Sequence, residues 1–140
     1  MTKLTWYFYK EPYNKNLFYQ KMGPFFSERQ YQGKFPYLVN SPKTSWFVLE
    51  NEDYQIVGFS SFEEKVRGVE IGEVYIVEGF GELWKSLASK TIREAKKLKP
   101  RILFTAVTSN EEAAFYLYKG FRVHKTSKNY IYLEMGVPEQ

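Results

Sequence analysis

The chain has no cysteine and a single histidine, His124, in 140 residues. Without cysteine there is no disulfide framework, no thiolate nucleophile and no thiolate zinc site. One histidine also removes histidine-ligated metal centres and serine–histidine triads from the chemistry to consider, so no metal is expected. Long apolar runs are missing too. The N-terminus Met1-Thr2-Lys3-Leu4-Thr5 is polar, and no stretch supplies the roughly 20 apolar residues of a membrane-spanning helix. The expected setting is cytoplasmic, with no membrane partner. Repeats, low-complexity tracts and linkers are absent as well, and residues 1–140 suffice for a single domain with its own core.

What charge there is lies unevenly. Residues 1–48 carry seven Lys/Arg and two Asp/Glu, residues 49–82 two and nine, and residues 83–140 eleven and five. The resulting +5, −7 and +6 hide beneath a net charge of +4. An acidic centre favours a cationic partner such as an amine, and basic flanks favour a polyanion such as a phosphorylated cofactor. Fourteen of the 27 aromatic residues fall within residues 1–48. They are read first as core packed over a sheet, and second as a wall for a substrate.

The stretch Val69–Leu98 organises the rest. Residues 69–77 alternate on a period of two and read as a strand, with Val69, Ile71, Glu73, Tyr75 and Val77 on one face. Gly79-Phe80-Gly81 breaks the strand, and a helix follows whose apolar stripe is Leu83, Trp84, Leu87, Ala88, Thr91, Ile92, Ala95 and Leu98. A glycine turn at a helix N-terminus leaves backbone N–H groups pointing outward, which suits a phosphate. Upstream, Trp6–Tyr9 reads as a strand and Tyr13–Met22 as a helix stopped by Gly23-Pro24. Ser27–Gln30 has the form of a capping box opening a short helix that Gly33 ends, and Phe35–Pro42 reads as a loop. Thr44–Glu50 and Tyr54–Glu64 are strands joined by tight turns to each other and to 69–77, hence antiparallel, with Gly58 a bulge or a close-approach point. After Pro100, Arg101–Val107 reads as a buried strand parallel to 69–77. Ser109 or Asn110 caps a second helix, Glu111–Lys119, ended by Gly120, and Phe121–Lys125 with Tyr130–Met135 closes as a hairpin.

This order of elements, and the segment Ser109-Asn110-Glu111-Glu112-Ala113-Ala114-Phe115-Tyr116-Leu117-Tyr118-Lys119-Gly120-Phe121, resemble the GNAT superfamily of acyl-coenzyme A dependent N-acyltransferases. The glycine turn is similar to that family's pyrophosphate loop but is shortened, with Glu78 and Glu82 flanking it and no Arg or Gln before it. The resemblance implies an α/β fold: a mixed sheet with an antiparallel N-terminal part, a central splayed parallel strand pair and helices on both faces. It implies acetyl-CoA as cofactor. The backbone of Tyr75, Ile76 and Val77 would pair with the pantetheine arm, the amides of Gly79, Phe80, Gly81 and Glu82 would meet the pyrophosphate, Lys85 would add charge, and Asn110 would touch the arm. Tyr116, or Tyr118 in its place, would return a proton to the leaving thiolate.

The chemistry needs an amine freed of its proton, and Glu73 is the candidate base, ahead of Glu70 and Glu63. A strand amide near Ile76 or Val77 would serve the oxyanion. The expected activity is therefore transfer of an acetyl group to a primary amine of a small molecule or a protein, and the resemblance also admits a homodimer. Two further readings stand beside it. The shortened loop allows a GNAT-like domain that binds without catalysing. The basic flanks and aromatic first third allow a nucleic-acid partner, against which stand the acidic centre and the lack of a recognition motif.

Overall fold

The computed structural model describes residues 3–28, 38 and 40–138. Seven strands form one sheet: β1 (Thr5–Tyr9), β2 (Thr44–Glu50), β3 (Ile56–Glu64), β4 (Val69–Ile76), β5 (Ile102–Val107), β6 (Arg122–Thr126) and β7 (Ile131–Gly136). Three α-helices accompany them: α1 (Lys15–Ser27), α2 (Trp84–Lys96, preceded by a 3-10 turn over Gly81–Leu83) and α3 (Asn110–Tyr118). The strand order is β1-β2-β3-β4-β5-β7-β6, and every pair is antiparallel except β4–β5. This is the expected mixed sheet, with a βαβ unit at its centre.

Helices cover both faces, unequally. Leu87, Ala88, Thr91, Ile92 and Ala95 of α2 are buried as the stripe predicts, and with Ala113, Phe115 and Tyr116 of α3 they pack on one face against Phe47, Phe62, Ile71 and Leu103. On the other face α1 sets Phe18, Met22 and Phe25 on Trp46, Val48 and Phe59. Nothing described covers the second half of that face except Leu38, and a cavity opens there.

Three expectations are corrected. Helix α1 does not stop at Gly23-Pro24 but runs to Ser27 with Pro24 inside it. Asn14 caps it by accepting from the Leu17 N–H at 3.2 Å. Spacings of four and three put Phe18, Met22 and Phe25 on one stripe, and burying Phe25 outweighs the one hydrogen bond that a proline forfeits. Ser27 therefore ends a helix instead of opening one: its hydroxyl donates to the Gly23 carbonyl at 3.0 Å. The rest of the proposed short helix, and half of the 35–42 loop, lie outside the described residues.

The third correction matters most for function. In the β3–β4 register Ser60 faces Val74 and Phe62 faces Ile71, so Ser61 alone opposes two residues, Gly72 and Glu73. This is a β-bulge, which shifts the alternation by one. Val69 and Ile71 pack in the same cluster as Val74 and Ile76, while Tyr75 packs on the opposite face beside Phe59 and Phe25. Glu73 thus does not share a simple face with Ile71 and Tyr75; the bulge re-aims it. A second bulge sits between Leu49 and Glu50. Beside it, a Cβ on Gly58 would lie 2.8 Å from the Tyr75 carbonyl oxygen, so Gly58 is a close-approach point next to a bulge.

Among the described residues, no helix is long and apolar enough to cross a membrane.

Candidate active site

The parallel pairing of β4 and β5 is short. It joins Val69, Glu70 and Ile71 to Leu103, Phe104 and Thr105. At its end the buried Thr105 hydroxyl donates to the Ile71 carbonyl at 2.9 Å. Beyond that bond β4 pairs only with β3, and the two central strands part.

Which backbone groups face the gap follows from the β3–β4 pairing. The Val77 N–H donates to the Val57 carbonyl at 2.9 Å. By antiparallel alternation Tyr75 and Val77 direct their backbone groups at β3, while Val74 and Ile76 direct theirs into the gap. The arm contacts expected from Tyr75, Ile76 and Val77 therefore reduce to Ile76, joined by Val74. A period of two cannot aim three consecutive residues at one edge.

Three titratable side chains come within electrostatic reach of one another where the strands part. Glu73, on the bulge, lines the cavity on the α1 face and keeps one side open to water. The protein packed around its carboxyl, and secondarily the Glu112 carboxylate, lift its pKa from 4.5 to about 7. Glu112 comes from the first turn of α3, on the other face. Its backbone N–H donates to the Ser109 hydroxyl at 3.2 Å, which makes Ser109, not Asn110, the cap. Burial raises the Glu112 carboxyl too, partly offset by the Thr108 backbone N–H.

Tyr116 is 1% exposed. Its hydroxyl is hydrogen-bonded to Thr105, and burial, then Glu112, push its ionisation well above the usual phenol value. Tyr118, the alternative, is 87% exposed on the far side of the helix. Asn110 is exposed at the start of α3.

Trp84 closes the gap from the helical side. Its indole Nε1–H donates to the Val74 carbonyl at 2.9 Å, and its ring meets Phe115 and Tyr116 edge-on, with centroids 5.1 and 6.3 Å away. It covers Tyr116 and engages one of the β4 groups that faces the gap.

The glycine turn is open. Gly79 adopts φ +96, and a Cβ at Gly79 or Gly81 would meet nothing within 4 Å. The amides of Gly79, Gly81 and Glu82 have no hydrogen-bond partner among the described residues, and no side chain caps α2. The Phe80 N–H, by contrast, is engaged with the Val77 carbonyl at 3.2 Å. Lys85 lines a groove with Trp6, Lys90 and Arg93, a basic strip just beyond the turn. A pantetheine arm and a phosphate therefore find an unpaired strand edge at Ile76, free amides at a helix start and cations nearby. They fit these residues once the Trp84 indole leaves Val74.

Sequence reasoning missed Glu112, whose place three residues after Ser109 spoke only of capping, and Trp84, which read as part of the stripe. It also missed the bulge pairing Ser61 with Gly72. A glycine between the branched residues Ile71 and Val74 was the one available signal for that.

No protein-family model and no curated protein matches this sequence. Solved structures do match its fold. An acyl-CoA N-acyltransferase from Pseudomonas aeruginosa superposes with a TM-score of 0.71 at 17% identity, over 96% of this chain and 100% of the other. A Bacillus subtilis acetyltransferase, solved in complex with CoA, gives 0.61 at 16% identity over 97% and 100%. A GNAT-family acetyltransferase from Staphylococcus aureus gives 0.59 at 13% over 97% and 100%. At these identities the likeness is one of architecture, and the chain carries the GNAT acetyltransferase fold.

Proposed function

We propose that this protein is an acyl-CoA dependent N-acyltransferase that transfers an acetyl group from acetyl-CoA to a primary amine. The observation that carries the proposal is the passage between β4 and β5. There the two strands part after Ile71 and Thr105, beside a cavity of about 320 Å³ lined by Glu63, Glu70 and Glu73.

When bound, acetyl-CoA supplies an activated acyl carbon and a thiolate leaving group. The chain's residues do the rest. An amine entering the acidic cavity arrives as an ammonium, and Glu73 takes its proton. A carboxyl with a pKa of about 7 is half ionised near neutrality and holds the proton it accepts, which suits a general base. The Ile76 N–H faces the gap and is the donor for negative charge developing on the acyl oxygen. The free amides of Gly79, Gly81 and Glu82, with Lys85, would hold the phosphates. Tyr116, once uncovered by Trp84, is the proton donor on the helical side, with Thr105 as its fixed partner. Asn110 would contact the arm at the mouth of the site.

A second reading is favoured by one observation, the bond from Trp84 to Val74, seconded by the carboxylates of Glu78 and Glu82 beside the turn. In it the domain keeps the fold and binds without catalysing.

Thermal unfolding with acetyl-CoA separates the two. At about a hundred times its dissociation constant the cofactor adds about 2.7 kcal/mol, a shift of several degrees for a domain this size. The shift should vanish in Gly81→Glu. A shift accompanied by acetylation in an amine screen, lost in Glu73→Gln, supports the enzyme. No shift at millimolar acetyl-CoA refutes it.

A further inference from the structure

Helix α3 departs from the rule for a helix on the surface of a domain, which buries one apolar stripe and turns polar residues to water. Ala113, Phe115 and Tyr116 are buried, as that rule expects. The outward side, however, carries Ala114, Leu117 and Tyr118, and its polar positions, Asn110 and Glu111, are confined to the first turn. Leu117 is 47% exposed and Tyr118 is 87% exposed. Exposed apolar side chains scattered singly are ordinary; a helix that is apolar on both sides is not. Strand β6 packs beside α3 and adds Val123, also exposed, which lies on the α3 side of the sheet because it pairs with Leu133.

The charges at the two ends of this face point to what covers it. Glu111 in the first turn and Lys119 at the C-cap are both exposed, and neither has an ion-pair partner among the described residues. The Lys119 ammonium lies over the Phe115 ring, 5.5 Å from its centroid. The face is thus negative at its start, apolar in the middle and positive at its end. A second copy of the same helix, laid antiparallel, matches that layout. A twofold axis level with Phe115 sets Ala114 beside the second copy's Leu117, and Glu111 beside the second copy's Lys119. The midpoints of these two pairings coincide to within one residue, about 1.5 Å of helix rise. Symmetry makes each contact occur twice. The antiparallel arrangement also opposes the positive N-terminal end of each helix to the negative C-terminal end of the other. Ala114, small and central, lets the two axes approach to about 8–10 Å. A parallel pairing would instead set like charges against each other at both ends.

We propose that this protein forms a twofold-symmetric dimer through the outward face of α3, with Leu117 and Tyr118 at the apolar centre and Glu111–Lys119 pairs at the ends. The dimer goes beyond the acyltransferase reading and stands whether or not the protein transfers an acyl group.

Sedimentation velocity of the full chain from micromolar to millimolar concentration tests it, and should show a concentration-dependent dimer. Leu117→Glu puts a charge at the centre and should leave a monomer whose melting temperature in dilute solution matches that of the wild type. Glu111→Lys and Lys119→Glu each turn two ion pairs into two like-charge contacts, and each should weaken the dimer about tenfold or more. All three positions are exposed, so the variants should fold. The double variant restores both pairs and should dimerise as the wild type does. An equimolar mixture of the two single variants should form a heterodimer, because each lysine then faces a glutamate. A monomer at every concentration, a dimer that survives Leu117→Glu, charge variants that leave the dimer unchanged, or a mixture that associates no more tightly than its components overturns the proposal.

Discussion

Replacing Glu73 by Gln tests the site through stability, with no substrate required. The Glu73 carboxyl titrates at about 7 in the folded chain and at 4.5 as an ordinary side chain. Between those pH values the folded state holds a proton that the unfolded state has released. The unfolded state then binds fewer protons, so stability falls as pH rises from about 4.5 to about 7 and is level above. Glutamine mimics the protonated acid and escapes this loss. The full linkage for such a shift would be about 3.4 kcal/mol. Glu73 is open to water on one side, so solvent screening brings the expected gain to about 1–2 kcal/mol, a few degrees in melting temperature. Glu73→Gln should melt with the wild type at pH 4 and above it at pH 8. Glu112 is the lesser of the two causes, so Glu112→Gln should lower the midpoint by less than half of the rise and leave it above 4.5. The pH profile of kcat/KM for an amine substrate should share the wild-type midpoint. A Tm difference that is the same at pH 4 and pH 8, or a midpoint near 4.5, would refute the idea that the bulge holds this carboxyl in a poorly solvated place.

Other substitutions probe the surrounding structure. Tyr116→Phe removes a hydroxyl bonded to Thr105 in a dry environment and should cost about 1 kcal/mol in urea unfolding, whereas Tyr118→Phe should stay within about 0.5 kcal/mol; the opposite order would mean the wrong tyrosine faces the site. Trp84→Phe keeps the ring but frees the Val74 carbonyl, so acetyl-CoA should bind about threefold to tenfold more tightly, and weaker binding would show that the indole helps to form the cofactor site. Gly58→Ala would press a methyl against the Tyr75 carbonyl and should lower stability by about 1–3 kcal/mol; an unchanged urea midpoint would show that the β3–β4 contact can relax.

Much of this protein was legible before any coordinates. The period-two pattern of 69–77, the stripe from Leu83 to Leu98 and the tight turns 51–53 and 65–68 are local signals. Strand, helix and hairpin identities follow from them because side-chain spacing decides which face can be buried. The parallel β4–β5 pair follows as well, since a strand, a helix and a strand in succession leave little choice of topology.

Only the assembled sheet decided the rest. Whether a proline breaks a helix depends on what the next turn buries, and Phe25 carries α1 past Pro24. The two-against-one pairing at Ser61 exists only once β3 and β4 lie side by side, and Glu73 sits on it, in the wall of the cavity. Glu112 is far from Glu73 in the chain; the splay brings them together across the sheet and raises one pKa through the other. Spacing along a sequence determines which faces of its elements are buried, but a long-range distance, and with it the electrostatics of a site, is set by tertiary packing.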